Sequence, residues 1–182
     1  MFRKIFLTLI LFSLFSCGFQ AMYHDEESHL SYETDLAAIR IKKTRTKLDQ
    51  KLKNNLYDIL NPDQLNIEAK YFLTLDIQEN ISPTFITITG ASGRNKITLN
   101  VKYELKSLEN AKTISSGSSS ANDSYNVTAN RYATFTGEEY LRDNLTKLVA
   151  QSIRDSLVND FIEIKKECGE RKDEKYFLCP LK

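Results

Sequence analysis

The sequence predicts an α+β protein: a mixed four-stranded sheet with two α-helices packed on one face, in the order strand, helix, strand, strand, strand, helix. Three segments between residues 71 and 127 alternate apolar and polar side chains, which is typical of strands with one buried face. Residues 44–60 and 138–164 repeat apolar side chains at steps of three and four, which is typical of helices with one buried stripe. Such elements bury their apolar faces against each other, so we expect the other sheet face to be polar and exposed.

The amino terminus has the features of a secretory signal. Arg3 and Lys4 precede a short uncharged apolar run, which ends in Ser16 and Cys17. A basic start, an apolar run and a small residue before the cleavage point are typical of signal peptides. An uncleaved membrane anchor is the alternative, but the run is too short for a spanning helix, which needs about 20 residues. A cysteine directly after the cleavage point resembles a bacterial lipoprotein signal.

We therefore expect residues 1–16 to be removed and Cys17 to be the site of lipid attachment. Its thiol would receive a diacylglycerol and the new amino terminus would be acylated. Three acyl chains hold far more strongly than a single chain, which gives only marginal membrane binding. Residues 17–34 are polar and are expected to form a lipidated tether. Residues 35–164 would then form a single α+β domain, followed by a charged tail at 165–182.

Composition limits the class of protein. Without the predicted signal the chain has the length of one domain, which buries about 70% of the surface that its unfolded chain exposes and so needs no metal for stability. The whole sequence has 25 basic and 24 acidic residues and a formal net charge of +1. A chain so close to neutral shows no general attraction to nucleic acid, so we expect no nucleic-acid partner.

Two further cysteines, Cys168 and Cys179, lie in the charged carboxyl-terminal region. In the oxidising compartment of an exported protein such a pair usually closes, so we expect a disulfide; two free thiols are the alternative. Closing this short loop would stabilise the protein by about 2–3 kcal/mol in the chain-entropy model. We expect no metal site, because two cysteines without a nearby histidine fall short of four ligands.

The first two elements are a short strand and a helix. Residues 36–41 form a short apolar run with some alternation, which favours a strand. Thr44 or Thr46 can cap the helix that follows, and Pro62 ends it. The apolar stripe of this helix consists of Leu48, Leu52, Leu56, Ile59 and Leu60.

Three strands are predicted next. The first covers residues 71–78 and is followed after Pro83 by a further apolar–polar alternation. Small and polar residues at 90–95 indicate a turn. The second strand has the clearest alternation, with Ile97, Leu99, Val101, Tyr103 and Leu105 on one side and mostly charged residues on the other. The third crosses a serine run at 115–120, which is either a flexible linker or a strand whose small side chains lie under a neighbouring protein.

A long helix is predicted for the end of the domain. Thr136 and Glu139 are three residues apart, as in a capping box, and indicate that the helix begins at Glu138. A helix that continues to Ile164 would be about 40 Å long.

The sequence gives little support for catalysis, and we expect no catalytic residues and no cofactor. His24 and His29 both fall in the predicted tether, where a base is poorly held for proton transfer. The carboxylates of Asp123, Glu138 and Glu139 are better explained as helix-capping and surface groups. We therefore do not expect an enzyme.

The order of elements and the Cys17-Gly18-Phe19 start together resemble the LPS-assembly lipoprotein family LptE, in its α-proteobacterial form. Members of that family open the mature chain with Cys-Gly-Phe or Cys-Gly-Trp. They have a leucine-rich first helix like residues 46–60 and an alternating strand with a tyrosine near its end, like residues 97–105. An aromatic stretch like residues 131–135 leads into their long helix. The resemblance covers nearly the whole mature chain.

The resemblance implies a lipid-anchored protein at the periplasmic face of the outer membrane. Such a protein plugs the LptD-type β-barrel, assists its assembly and takes part in the transport of lipopolysaccharide to the cell surface. It also implies that Arg94 and Lys96, by the predicted turn, contact lipopolysaccharide; solvated turn charges are the alternative for these two residues. The alternative function is a lipid-anchored auxiliary binding protein of a lipid or solute transporter.

Overall fold

The computed structural model describes residues 26–43, 45–86, 88, 90 and 92–170. The predicted signal peptide, Cys17 and the first part of the predicted tether lie outside these residues. The chain divides into two compact units, Met1–Leu30 and Ser31–Lys182. The second unit contains the whole sheet and the two long helices.

The elements in chain order are α1 (Glu26–Ala37), β1 (Ile39–Ile41), α2 (Lys47–Leu60), β2 (Tyr71–Ile86), β3 (Ser92–Ser107), β4 (Thr113–Asn126) and α3 (Arg131–Glu170). The strands form one sheet in the order β1-β2-β3-β4. Strand β1 is parallel to β2, and the other two pairs are antiparallel. The predicted α+β class, the mixed four-stranded sheet and the order of its elements are confirmed.

The core lies between one sheet face and the helices α2 and α3. The alternating residues of β3 predicted to face inward are all buried. Helix α2 contributes its leucine stripe to the same cluster, and α3 contributes the residues that recur at steps of three and four. The fully buried residues of these helices include Leu52, Leu56, Leu145, Val149, Ile153 and Leu157. Burying a side chain of this size stabilises the fold by about 1.5–3 kcal/mol. The face of each helix or strand that carries these apolar side chains is therefore the face that packs into the core.

Helix α2 begins and ends as its sequence predicts. The hydroxyl of Thr46 accepts a hydrogen bond from the N–H of Asp49, and the Asp49 carboxylate accepts one from the N–H of Thr46. This reciprocal pair is a capping box. The helix ends at Leu60, with Asn61 as its C-cap just before Pro62.

The chain before β1 differs from the prediction. Helix α1 begins at Glu26, within the segment predicted as a tether, and it includes Leu36 and Ala37. The strand predicted at 36–41 is therefore reduced to Ile39–Ile41. Short apolar runs fit a buried helix end as well as a strand, so the sequence pattern does not separate the two here.

The predicted start of the long helix is wrong. Helix α3 begins at Arg131, where the side chain of Asn130 accepts hydrogen bonds from the N–H groups of Tyr132 and Ala133. Thr136 lies inside the helix, and its hydroxyl donates to the carbonyl of Tyr132 at 2.9 Å. Asparagine is as good an N-cap as threonine, so two competing caps were present in the sequence and the earlier one is used.

The serine run is part of strand β4, not a linker. Its odd-numbered residues face the core, where Ser115 and Ser119 are buried and Ser115 donates a hydrogen bond to Asp160 of α3. Gly117 lies opposite Tyr103 of β3. A Cβ atom at Gly117 would be 2.7 Å from the Tyr103 hydroxyl oxygen, so the tyrosine ring occupies the space that a larger residue would need.

Substitution of the two candidate N-caps of α3, Asn130 and Thr136, tests directly where the helix begins. We expect Asn130→Ala to lower the free energy of unfolding by about 1 kcal/mol, because two N–H groups lose their acceptor. Thr136→Ala should leave it unchanged or raise it by up to about 0.5 kcal/mol, since alanine is the better interior residue. Urea denaturation followed by circular dichroism measures both variants. The reverse ranking would show that the helix begins near Thr136.

The contact between Gly117 and Tyr103 predicts that replacement by alanine destabilises the protein at Gly117 but not at Gly137. Gly117→Ala should lower the free energy of unfolding by roughly 1–3 kcal/mol, because the tyrosine ring must shift in a packed region. Gly137→Ala is the matched control, because no atom lies within 4 Å of its Cβ position and Gly137 is in helix α3. That variant should stabilise the protein by roughly 0.5–1 kcal/mol. Equal effects at the two positions would contradict the packing described here.

Candidate interaction surface

One face of the sheet is not covered by α2 or α3, and we call it the open face. It consists of every second residue of strands β2, β3 and β4. Its members are Phe72, Thr74, Asp76, Gln78, Asn80 and Ser82 on β2; Arg94, Lys96, Thr98, Asn100, Lys102, Glu104 and Lys106 on β3; and Ser116, Ser118, Ser120, Asn122, Ser124 and Asn126 on β4. Phe72 is the one apolar side chain among them. All of these residues are exposed or half-buried. The open face is therefore the polar sheet face that the sequence predicts.

Charge on the open face is concentrated on its central strand. Strand β4 contributes only serine and asparagine side chains to this face. Strand β3 contributes four basic residues and one acidic residue, and Lys106 forms an ion pair of 2.9 Å with the acidic one, Glu104. Among the described residues, the ammonium groups of Lys96 and Lys102 have no hydrogen-bond or ion-pair partner. The open face is thus polar, weakly basic and uncharged along β4.

Arg94 and Lys96 lie on β3, near the end of the β2–β3 hairpin, rather than in a turn. Both are on the open face, two residues apart. Arg94 is exposed, and its carbonyl accepts a hydrogen bond of 3.1 Å from the Thr84 hydroxyl. The structure therefore places the two predicted residues side by side on one surface; their contact with lipopolysaccharide stays a prediction.

The same end of the sheet exposes apolar side chains. Phe85 is 59% exposed and Ile88 is 105% exposed. Arg94 pairs with Phe85 on one side and with Asn126 on the other. After β4 the chain continues into α3, whose first turns expose Tyr132 and Phe135. This hairpin end of the sheet combines basic and apolar groups.

A cluster of ion pairs joins α3 to α2 and to β2, on the sheet face opposite the open face. Arg142 donates to Glu79 of β2 at 2.6 Å and also pairs with Glu138 and Glu139 of its own helix. Two lysines of α2 reach the same helix: Lys47 binds Glu139 at 2.9 Å, and Lys51 binds both Glu139 and Asp143. We call this group the Arg142 cluster.

Hydrogen bonds and opposite charges in the Arg142 cluster favour the ionised forms of Glu139 and Arg142. A hydrogen bond from Lys47 lowers the pKa of Glu139 to about 2, against the opposing effect of burial and with help from the charge of Lys51. Burial alone would lower the pKa of Arg142, but the hydrogen bond and charge of Glu79 raise it instead. Glu139 and Arg142 are therefore ionised at neutral pH, and their ion pairs connect α3 with α2 and β2.

The structure does not bring the other candidate residues into one site. Glu138 accepts a hydrogen bond from the Tyr125 hydroxyl at 3.2 Å, so its contacts are structural. His29 falls in α1 and Cys168 in the last turn of α3, but their side chains lie outside the described part of the chain, as do Cys17, His24 and Cys179 entirely. The described residues include no group of three or more metal-ligating side chains and no helix that is long and apolar enough to cross a membrane.

Sequence reasoning missed the Arg142 cluster. The spacing of Glu138, Glu139 and Arg142, three and four residues apart on one helix, is a signal for pairs within that helix. Nothing in the sequence indicates the contacts with Glu79 and the two lysines of α2, because these depend on how the helices cross the sheet.

The Arg142 cluster predicts a stability that depends on acid pH. The pKa of Glu139 is lower in the folded chain than in the unfolded chain, so its stabilising effect is complete above about pH 4.5 and is lost as the pH falls towards 2. We expect Glu139→Gln to lower the free energy of unfolding at pH 7 by about 1 kcal/mol, a typical upper value for such partly exposed pairs. The difference from the parent protein should disappear near pH 2.

The matched control is Glu109→Gln, since Glu109 is exposed and its side chain has no partner among the described residues. Its effect on the free energy of unfolding should be small, because no contact of the side chain is lost. Urea denaturation across this range compares the variants, and a Glu139→Gln effect that stayed constant to pH 2 would contradict the ion-pair assignment.

Comparisons with known proteins give relatives for both sequence and fold. No family model matches the chain. An uncharacterized protein of Rickettsia prowazekii (strain Madrid E) is 27% identical over 158 residues, which cover 87% of this chain and 97% of that protein.

Three solved structures share the fold. A protein of Caulobacter crescentus CB15, described as a candidate lipoprotein, matches with a TM-score of 0.61 and 17% identity, covering 71% of this chain and 95% of that one. Rare lipoprotein B of Shewanella oneidensis matches with a TM-score of 0.54 and 13% identity, covering 70% and 96%. An uncharacterized lipoprotein B of Nitrosomonas europaea matches with a TM-score of 0.51 and 12% identity, covering 76% and 90%. The chain therefore has a fold that occurs in bacterial lipoproteins.

Proposed function

We propose that this protein is a lipoprotein of the LptE kind, anchored through Cys17 to the periplasmic face of the outer membrane. In this proposal it plugs an LptD-type β-barrel, assists the assembly of that barrel and so takes part in the transport of lipopolysaccharide to the cell surface. It has no catalytic role and needs no cofactor.

The observation that carries the proposal is the agreement between fold and amino terminus. Rare lipoprotein B of Shewanella oneidensis shares the fold and is covered over 96% of its length by this chain. The chain independently has a lipoprotein-type start at Cys17 and the Cys-Gly-Phe sequence of the resembled family. The fold alone would fit many functions, but the two features together favour a lipid-anchored protein of the envelope.

The polarity of the unit that contains the sheet suits a plug. Large outer-membrane barrels have a polar interior. The polar open face and the charged outer surface of α3 are compatible with that environment.

The hairpin end is the proposed contact with lipopolysaccharide. Arg94 and Lys96 would bind phosphate groups through charge-assisted hydrogen bonds. Phe85 and Ile88, exposed at the same end, would suit acyl chains. A ligand with both anionic and apolar parts fits this combination better than a simple anion does.

Purification from membranes tests the function. We expect the affinity-tagged full chain, extracted in mild detergent, to bring down a large β-barrel whose gel mobility changes on heating. Depletion of the protein should cause lipopolysaccharide to accumulate in the periplasm or inner membrane. Cys17→Ser should remove the lipid and at least strongly reduce recovery of the barrel from membranes, because peripheral binding then depends on the protein contact alone.

Two outcomes would contradict the proposal. Mass spectrometry that shows an unmodified thiol at Cys17 in the mature protein would rule out the anchor. Recovery of an inner-membrane transporter complex in place of a barrel would favour the alternative function, an auxiliary binding protein.

A further inference from the structure

A run of basic residues begins where β1 ends and continues into α2. Six of the twelve residues from 42 to 53 are basic and one is acidic, although the whole chain is close to neutral. Three of the six lie between the two elements, and we call them the basic loop: Lys42, Lys43 and Arg45. A local concentration of one sign of charge attracts partners even where the net charge does not.

The side chains of the basic loop carry charge that the protein does not compensate. All three are exposed, and among the described residues none of them has a hydrogen-bond or ion-pair partner for its side chain. The acidic groups at the start of α2 have other partners, because the carboxylate of Asp49 accepts backbone N–H groups and Glu139 binds Lys47. The loop therefore keeps its positive charge, whereas Lys47 and Lys51 are neutralised within the Arg142 cluster.

The surroundings of the basic loop do not form a closed site for a single anion. The start of α2, where free backbone N–H groups would bind an anion, is already capped by Asp49. No side chain of the loop is buried, so none is held in place around one phosphate. The loop also exposes no aromatic or large apolar side chain of the kind that protein interfaces place at their centre. These features fit an extended anionic surface better than a small anion or a protein.

The position of the basic loop in the chain indicates which anionic surface it meets. Lys42 follows Cys17, the proposed site of lipid attachment, by 25 residues. An anchor this close along the chain holds the loop near the membrane at a high effective concentration, so a weak contact is sufficient. Each Lys or Arg near an anionic membrane surface is worth about fivefold in binding. A lipid anchor and a basic segment are a common pair of membrane-binding signals.

The basic loop is distinct from the hairpin end. The backbone N–H of Lys42 donates to the carbonyl of Leu73 at 3.0 Å, so the loop begins near the start of β2. The hairpin end, where Phe85 pairs with Arg94, lies about 40 Å further along that strand, at about 3.3 Å per residue. The charges proposed to bind lipopolysaccharide and those of the basic loop therefore belong to different regions.

We propose that the basic loop contacts the anionic phospholipid headgroups of the membrane that holds the lipid anchor, and thereby orients the domain on that surface. This inference rests on the lipid anchor of the proposed function and does not depend on the barrel partner. The anchor fixes one point of the chain at the membrane, and the loop supplies a second.

Limited trypsin digestion tests the contact in the lipidated mature chain. The protein is reconstituted on vesicles of phosphatidylcholine alone or with about 30% phosphatidylglycerol, which gives the surface its negative charge. Trypsin cleaves after lysine and arginine, so cleavage after Arg45 reports on access to the loop. We expect this cleavage to be at least about fivefold slower on the anionic vesicles, because bound headgroups cover the site. Cleavage after the exposed Lys112 is the internal control and should be unchanged.

Three results would overturn the inference. The first is an equal rate of cleavage after Arg45 on both kinds of vesicle. The second is protection that persists in about 0.5 M salt, where attraction between exposed charges is screened. The third is protection on neutral vesicles supplemented with lipopolysaccharide but not on those with phosphatidylglycerol, because the anionic partner would then be lipopolysaccharide.

A charge-matched pair of variants separates the basic loop from the general charge of the protein. The first variant removes two charges of the loop and keeps the cleavage site: Lys42→Gln and Lys43→Gln. The control removes two exposed lysines of α3: Lys147→Gln and Lys166→Gln. Protection of Arg45 on anionic vesicles should fall to at most about twofold in the first variant and stay at about fivefold in the control. Equal protection in the two variants would contradict the proposed contact, and unchanged cleavage after Lys112 shows that both remain folded.

The outcomes separate this inference from the function on which it rests. If a barrel is recovered from membranes but the loop is cleaved equally on both kinds of vesicle, the function stands and the phospholipid contact is wrong. If the loop is protected but no barrel is recovered, the contact stands and the barrel partner is wrong. An unmodified thiol at Cys17 would remove the anchor and with it both proposals.

Discussion

The structure depends on the burial of one face of strand β3. Five of its residues, from Ile97 to Leu105, point at α2 and α3 and are almost fully enclosed. Because successive side chains of a strand point to opposite faces, this burial also fixes which residues of β2 and β4 can be apolar and which face stays open. The ion pairs of the Arg142 cluster then hold the helices in place over that face, but they are partly exposed and contribute less than the apolar contacts.

Much of the fold could be predicted from sequence because its periodic signals are strong. The alternation of β3 and the leucine stripe of α2 each have a single interpretation, and the structure follows both. The failures occur where two interpretations were equally good. Thr136 and Asn130 are both suitable caps, and Leu36 fits a helix end as well as a strand. Local pattern cannot choose between such alternatives, since the choice depends on packing with distant residues.

The interaction surface was predictable in part. Its polar character and the positions of Arg94 and Lys96 near a hairpin follow from the strand period. The register that places Lys102 beside Ser118, and the crossing that brings Glu79 to Arg142, depend on long-range geometry. The serine run of β4 was recognised as either linker or strand. Its packing against α3 through Ser115 resolves this, because a buried hydroxyl with a partner requires a fixed backbone.

The length of β2 separates two regions of the domain. The chain enters the sheet at β1, which pairs only with the first three residues of β2, Tyr71 to Leu73. The last residue of β2, Ile86, lies about 40 Å further along the same strand, at about 3.3 Å per residue. The entry point and the apolar hairpin end therefore lie at opposite ends of β2, and backbone pairing with β3 along the strand connects them. One strand thus links the part of the domain that follows the amino-terminal region to the part that exposes apolar side chains.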